Sequence, residues 1–277
     1  MRFGYNTNGF AHHRLPDAIS ILADLGYGSV AITLDYHALN PYSSALPKEI
    51  SQLGEQLNKL DMKCVIETGA RFLLDPRRKH QPTLLSKDRD ARFQRLDFLY
   101  SAINIASELD ADAVSFWSGQ PDYKADRSEH VRTLIDGCKL LCEYATDKNV
   151  RLAFEPEPGM LIDTMPRFAE LHAAVDHPHF GLTLDVGHLH CLGELPIAPH
   201  IHRWQDCLWN IHIEDMKAGV HDHLMFGEGE MDFPPIFRAL RDIDYQFGVH
   251  VELSRHSHNA VVVAEEALVF MQRKIGR

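Results

Sequence analysis

Residues 151–155 read Arg-Leu-Ala-Phe-Glu and residues 181–185 read Gly-Leu-Thr-Leu-Asp. Each is a short apolar run ending on a carboxylate. Between them, Met165–Val175 carries apolar side chains at helical spacing, with Thr164 as a helix-start residue. A strand, a helix and a second strand in this order form a right-handed crossover unit with parallel strands. Outward in both directions the same unit repeats. Strands are predicted at Arg2–Thr7, Ser29–Leu34, Lys63–Thr68, Ala113–Trp117, Arg151–Glu155, Gly181–Asp185, Cys207–Ile213 and Phe247–Leu253. Helices are predicted at Leu15–Leu25, Lys48–Leu60, Arg89–Leu109, Glu129–Lys148, Met165–Val175, Ala198–Gln205, Pro234–Ile243 and Asn259–Lys274. Leu96, Leu99, Tyr100, Ile103 and Ala106 show the buried stripe most clearly. Eight strand signals, each followed by a helix, give the count of a (β/α)8 TIM barrel, whereas a doubly wound sheet usually shows five or six. No Pro/Gly/Ser linker divides the 277 residues, so one domain over 1–277 is predicted.

Composition narrows the class. The chain is 45% hydrophobic and carries 39 acidic against 28 basic residues, a net charge of −11. It is too apolar for disorder, contains no run of membrane-spanning length, and is too acidic for general nucleic-acid binding. The five cysteines form no CxxC pair, and Met1–Asn6 opens a strand directly rather than a secretory leader, so a reduced cytoplasmic setting is expected. Histidine is over-represented, with 13 of 18 between His172 and His258.

In a barrel the C-terminal strand ends meet at one mouth. The polar residues there are Asn6, Asp35, Glu67, Trp117, Glu155, Asp185, His212 and Glu252. A single strand-end carboxylate is commonly a helix cap or an ion-pair partner. Glu155, Asp185, His212 and Glu252 occupy four consecutive strands, however, and three carboxylates that close together repel one another. A divalent cation would relieve the repulsion, and a mixed carboxylate and imidazole shell suits Mn, Zn, Co, Fe or Mg. His190, His200 and His202 read as solvated loop residues. His250, in phase with Glu252, is placed in a layer beneath the site. The loop 69–87 carries Arg71, Arg77, Arg78, Lys79 and His80, cations suited to a substrate phosphate or carboxylate or to a solvated face. Trp117 offers a flat wall for a sugar ring, with core packing as the rival reading. Arg255 is an anchor for a substrate hydroxyl or anion, or a surface arginine.

Phe154-Glu-Pro, Asp185-Val-Gly-His188, His212-Ile-Glu-Asp, the stretch Gly227-Glu-Gly229 through Asp232-Phe, and Val251-Glu252 resemble the xylose isomerase-like TIM-barrel superfamily along the whole chain. The resembled branch is that of sugar phosphate isomerases and epimerases. It includes ketose 3-epimerases, hydroxypyruvate isomerase and inosose dehydratase, with abasic-site endonucleases as relatives. The resemblance implies that Glu155, Asp185, His212 and Glu252 bind one divalent metal, most often Mn, and that His188 contacts substrate oxygens. It implies a metal-dependent isomerase or epimerase of a small sugar, ketose or cyclitol. Glu155 and Glu252 would move a proton beside a metal-bound carbonyl through an enediolate. A lyase of the inosose dehydratase or carbon–glycoside-cleaving type is the alternative, and an abasic-site endonuclease a more distant one. Three departures bear on substrate: the Glu67-Thr-Gly-Ala-Arg-Phe strand end, Glu157 as a second glutamate after Glu155, and His221 and His223, which resemble the place where the endonucleases hold an additional zinc. The partner implied is a small carbohydrate, with neither nucleic acid nor membrane. A homo-oligomer is compatible with the sequence.

Overall fold

The computed structural model describes residues 1–276. Eight parallel strands close into a barrel. They are β1 (Arg2–Asn6), β2 (Ser29–Thr33), β3 (Lys63–Glu67), β4 (Val114–Phe116), β5 (Leu152–Phe154), β6 (Phe180–Asp185), β7 (Leu208–Ile213) and β10 (Gly248–Val251). Around the ring the order is β1, β10, β7, β6, β5, β4, β3, β2, so β3 stands across the barrel from β7. Helices α1 (Leu15–Leu25), α2 (Leu46–Leu60), α3 (Arg89–Glu108), α4 (Arg127–Lys148), α5 (Met165–Val175), α8 (Phe233–Asp242) and α9 (Ala260–Ile275) accompany the strands, and β6 is followed by the short α6 (Val186–Cys191) and α7 (Ala198–Trp204). The strand count and the bounds of α1 and α5 match the sequence prediction. Most other ends differ by one or two residues.

Outside the barrel wall the core is apolar. Phe116, Phe154, Phe168 and Phe180 are all buried, and the rings of Phe116 and Phe154 meet edge to face at 5.3 Å. Inside, the barrel is polar where such barrels are usually filled by Val, Ile and Leu. Ser29, Ser115, Thr183, Asn210 and His250 are each at most 1% exposed. Each finds partners there: Thr183 donates to Ser115 Oγ at 3.0 Å, Ser29 Oγ lies 2.8 Å from His250 Nε2, and His250 Nδ1 lies 2.7 Å from Asn210 Oδ1. Those partners assign the His250 tautomer: Nδ1–H donates to Asn210 and Nε2 accepts from Ser29.

The imidazole fits because two glycines leave room for it. A Cβ on Gly4 would lie 2.2 Å from His250 Cδ2, and one on Gly248 would lie 2.2 Å from His250 Cε1. Gly4→Ala will therefore lower stability by about 1–3 kcal/mol through overpacking. A urea midpoint unchanged from wild type would contradict this.

Two features depart from the sequence reading. Residues 214–231, where no strand is predicted between Cys207–Ile213 and Pro234–Ile243, contain an antiparallel hairpin, β8 (Asp215–Lys217) with β9 (Val220–Leu224). His190 is buried rather than solvated, because the residues after Asp185 continue directly into α6.

Candidate active site

The four strand-end residues converge. Glu155 follows β5, Asp185 ends β6, His212 lies on β7 and Glu252 follows β10, and one ligand atom of each lies within 4.8 Å of the others. His212 Nδ1 is 2.9 Å from Glu155 Oε1 and 3.0 Å from Glu252 Oε2. Its other nitrogen, Nε2, is 2.9 Å from Glu67 Oε1 across the barrel, and Asn210 Nδ2 donates to the same oxygen at 3.0 Å. With Nε2–H donating to Glu67, the Nδ1 lone pair faces two carboxylate oxygens. A lone pair against two anions is repulsive unless a proton or a cation lies between them.

The protonation balance expresses this crowding. Burial opposes charge on His212, but Glu67, Glu155 and Glu252 overcome it and hold the ring well above the ordinary histidine range. Burial pushes Glu155 up to about 7 against the pull of His212. Asp185 stays below its usual value although burial works the other way, because His188, His223 and His212 surround it. One Asp185 oxygen accepts from the backbone N–H of His188 at 2.9 Å, while the other, Oδ2, is buried without a partner. A converging set of three carboxylates and one imidazole, with an orphaned oxygen among them, fits a divalent cation in donor type and number. Glu67 and Asn210 would then serve as the outer partners that fix the ring of a metal-binding histidine.

A cavity of about 290 Å³ opens over this cluster. Glu67, Trp117, Glu155, Glu157, His212, His221, His223, Glu252 and Arg255 line it, as do Asn8, Arg71, Lys79 and His80. Asp185 and His188 are buried behind the wall. His188, expected to contact substrate oxygens, is thus placed just behind the cavity lining. Its ring is covered by the hairpin, with Nε2 3.0 Å from His221 Nε2, 3.4 Å from Asp185 Oδ2 and 3.7 Å from Glu157 Oε2. Burial lowers its pKa to about 4. His221 and Glu157 are therefore the groups that face the cavity there. Arg255 reaches the rim but is held at 2.6 Å by Asp222 of the hairpin. Trp117 lines the cavity with one part and carries the Arg95 guanidinium 4.4 Å from its ring centre. Asp35 lies away from the cluster, and its carboxylate accepts from Tyr36 N at 2.7 Å.

Three contributors escape a reading of strand ends. Asn210 links His250 to Glu67, and the polar alternation Asn210–His212 in β7 was the signal for it. Asn8, in the turn after β1, donates to Glu252 Oε1 at 2.7 Å. Glu214, fully buried with both oxygens unpartnered, lies 3.7 Å from His223 Nδ1. The glycine-rich stretch also finds its reason. Asp215 accepts from Gly227 N at 2.8 Å and Met231 N at 3.1 Å, and a Cβ on Gly229 would lie 2.2 Å from Asp215 Oδ1.

With barrel and site in place, comparison with known proteins gives the class. Residues 19–274 match the xylose isomerase-like TIM barrel family, and the chain belongs to it. The L-ribulose-5-phosphate 3-epimerase UlaE of Shigella flexneri serotype 5b (strain 8401) is 25% identical over 208 residues, which are 71% of this chain and 72% of that protein. D-allulose 3-epimerase from Methylomonas sp. has a TM-score of 0.78 at 19% identity, covering 99% of this chain and 97% of its own. The IOLI protein, solved with a binding zinc atom, has a TM-score of 0.77 at 17% identity, covering 100% of this chain and 98% of its own. These structural likenesses establish the fold.

Proposed function

We propose that this chain is an enzyme, a divalent-metal-dependent sugar epimerase that moves a proton at the carbon next to a ketose carbonyl. The observation that carries the reading is the approach of Glu155 and Glu252 to a single point, His212 Nδ1, at 2.9 and 3.0 Å. The 3-epimerase activity in the names of the relatives supports it. Glu155, Asp185, His212 and Glu252 would hold the metal, with Mn our first candidate. When bound, the metal would act as a Lewis acid toward the substrate carbonyl and lower the cost of negative charge beside it.

The chain's own residues supply the rest. Glu252 removes the proton from one face of the carbon and Glu155 returns one to the other, so configuration inverts without net redox change. Asn8, donating to Glu252 Oε1, orients that carboxylate and leaves Oε2 toward His212. Glu157 and His221 meet substrate hydroxyls, and Trp117 gives the carbon chain of the open ketose an apolar wall.

Incubation of a ketose panel in deuterated buffer tests this. The C–H beside the carbonyl will exchange, the epimer will accumulate, and a chelator will stop both until Mn is restored. Exchange that persists after complete metal removal would sink the metal reading, and an unsaturated product in place of the epimer would favour a lyase.

The hairpin allows a second metal position. His223 and the unpartnered oxygens of Asp185 and Glu214 have ligand atoms within 4.8 Å of one another, as do His188, His221 and His223. Elemental analysis of the purified protein decides between them: one metal per chain leaves His221 and His223 to the substrate, and two assign them to a metal.

A further inference from the structure

We propose that the substrate is a ketose carrying a phosphate ester at the end remote from its carbonyl, with the phosphate seated between Arg71 and Lys79. The sugar end rests on the epimerase reading above, while the phosphate seat rests on the opposite rim. Arg71 and Lys79 belong to the loop after β3, which faces β7 across the ring, and β7 carries His212. A linear ketose engaged by Glu155 and Glu252 at its carbonyl end would extend its tail toward that loop.

The loop is built for this position. His80 N donates to Arg71 O at 2.7 Å, drawing the two ends of the turn together so that Arg71, Lys79 and His80 all line the cavity. Among the described residues, neither Arg71 nor Lys79 has a carboxylate within ion-pair distance. By contrast, Arg78 is held at 2.7 Å by Asp75, and Arg255 at 2.6 Å by Asp222. Behind the wall, Arg95 is only 1% exposed and lies over Trp117. Its Nη2 donates to Thr68 O at 2.9 Å, and its Nη1 has no partner. A buried cation without a counter-charge is costly, so this rim of the mouth carries an unmatched positive potential. His80 registers that field: burial, followed by the charges of Lys79, Arg95 and Arg71, lowers it to about 4. It therefore stays neutral and can donate a hydrogen bond.

An arginine fork, a lysine point charge and a neutral imidazole donor match the three terminal oxygens of a phosphate monoester better than the two of a carboxylate. Such a seat also separates the two anionic demands of the mouth. The carboxylates gather at the reacting end, and the cations lie where the negative tail arrives.

Calorimetric titration at fixed ionic strength, with Mn supplied, compares L-ribulose 5-phosphate, free L-ribulose and a sugar acid of the same chain length. The ester will bind roughly a hundredfold more tightly than the free sugar, and inorganic phosphate will compete with it. The double variant Arg71→Leu/Lys79→Leu will erase that preference. Arg77→Leu, which alters an exposed cation of the same loop outside the cavity, will keep it. Equal affinity for ester and free sugar, or a preference that survives the double variant, overturns the seat, and tighter binding of the sugar acid overturns its assignment to phosphate. Deuterium exchange separates the two readings. Tight ester binding without exchange at carbon leaves the seat standing and removes the epimerase, and equal exchange on both sugars without a binding preference does the reverse.

Discussion

Glu252→Gln will abolish epimerisation, with solvent deuterium uptake next to the ketose carbonyl falling by roughly a thousandfold or more. The amide keeps the shape of the side chain and its acceptor oxygen toward Asn8, which donates at 2.7 Å in the native protein. What it lacks is a lone pair basic enough to take a proton from carbon. It also removes one of the two negative charges facing His212 Nδ1, so metal affinity will fall as well. The two losses separate experimentally: saturating Mn restores metal content and leaves exchange blocked. Wild-type exchange in the metal-loaded variant would remove Glu252 from proton transfer and shift the role to Glu155 or Glu157.

Asn210→Leu tests the barrel interior. The substitution is close in shape, yet it deletes the acceptor of His250 Nδ1–H, 2.7 Å away, and a donor to Glu67 Oε1, 3.0 Å away. The buried His250 Nδ1–H is left without an acceptor, at a cost of about 1–3 kcal/mol, while Glu67 Oε1 keeps only the His212 donor. Glu67, released on one side, will hold His212 Nε2–H less firmly. Metal affinity will then fall by about 10–100-fold, the usual effect of losing an outer partner of a ligating histidine. Denaturant unfolding and metal competition measure the two effects independently. A variant that loses stability and keeps full metal affinity would show that Glu67 alone orients His212.

The barrel and the four converging residues were legible in the sequence for a simple reason. Strand signals repeat with helices between them, so the strands run parallel and their ends meet at one face, and a period of two selects the side chains that point inward. The same alternation carried more than strand ends. Thr183 with Asp185, Asn210 with His212, and His250 with Glu252 are each two residues apart, so the inward polar layer was already written in β6, β7 and β10. What stayed hidden is placement outside that periodicity. Asn8 acts from a turn, His188 is covered by a hairpin whose strands have only three and five residues, and Arg255 is claimed by Asp222 of that hairpin. Burial of His190 likewise followed from a helix starting directly at Asp185, where the sequence suggested a loop.

The fastening of the hairpin at Asp215 has an evolutionary consequence. One carboxylate receives the backbone at Gly227 and again at Met231, and Glu230 N returns to Met216 O at 3.0 Å, so the excursion leaves and rejoins the barrel at one knot. Everything beyond that knot is an exchangeable cassette. Its tip, with His221, Asp222 and His223, can be rewritten or grafted from a relative while the strands that carry Glu155, Asp185, His212 and Glu252 are left alone. A change at that tip alters what the mouth recognises and, through His221 on His188 and His223 beside Glu214, is felt by the groups behind the carboxylates.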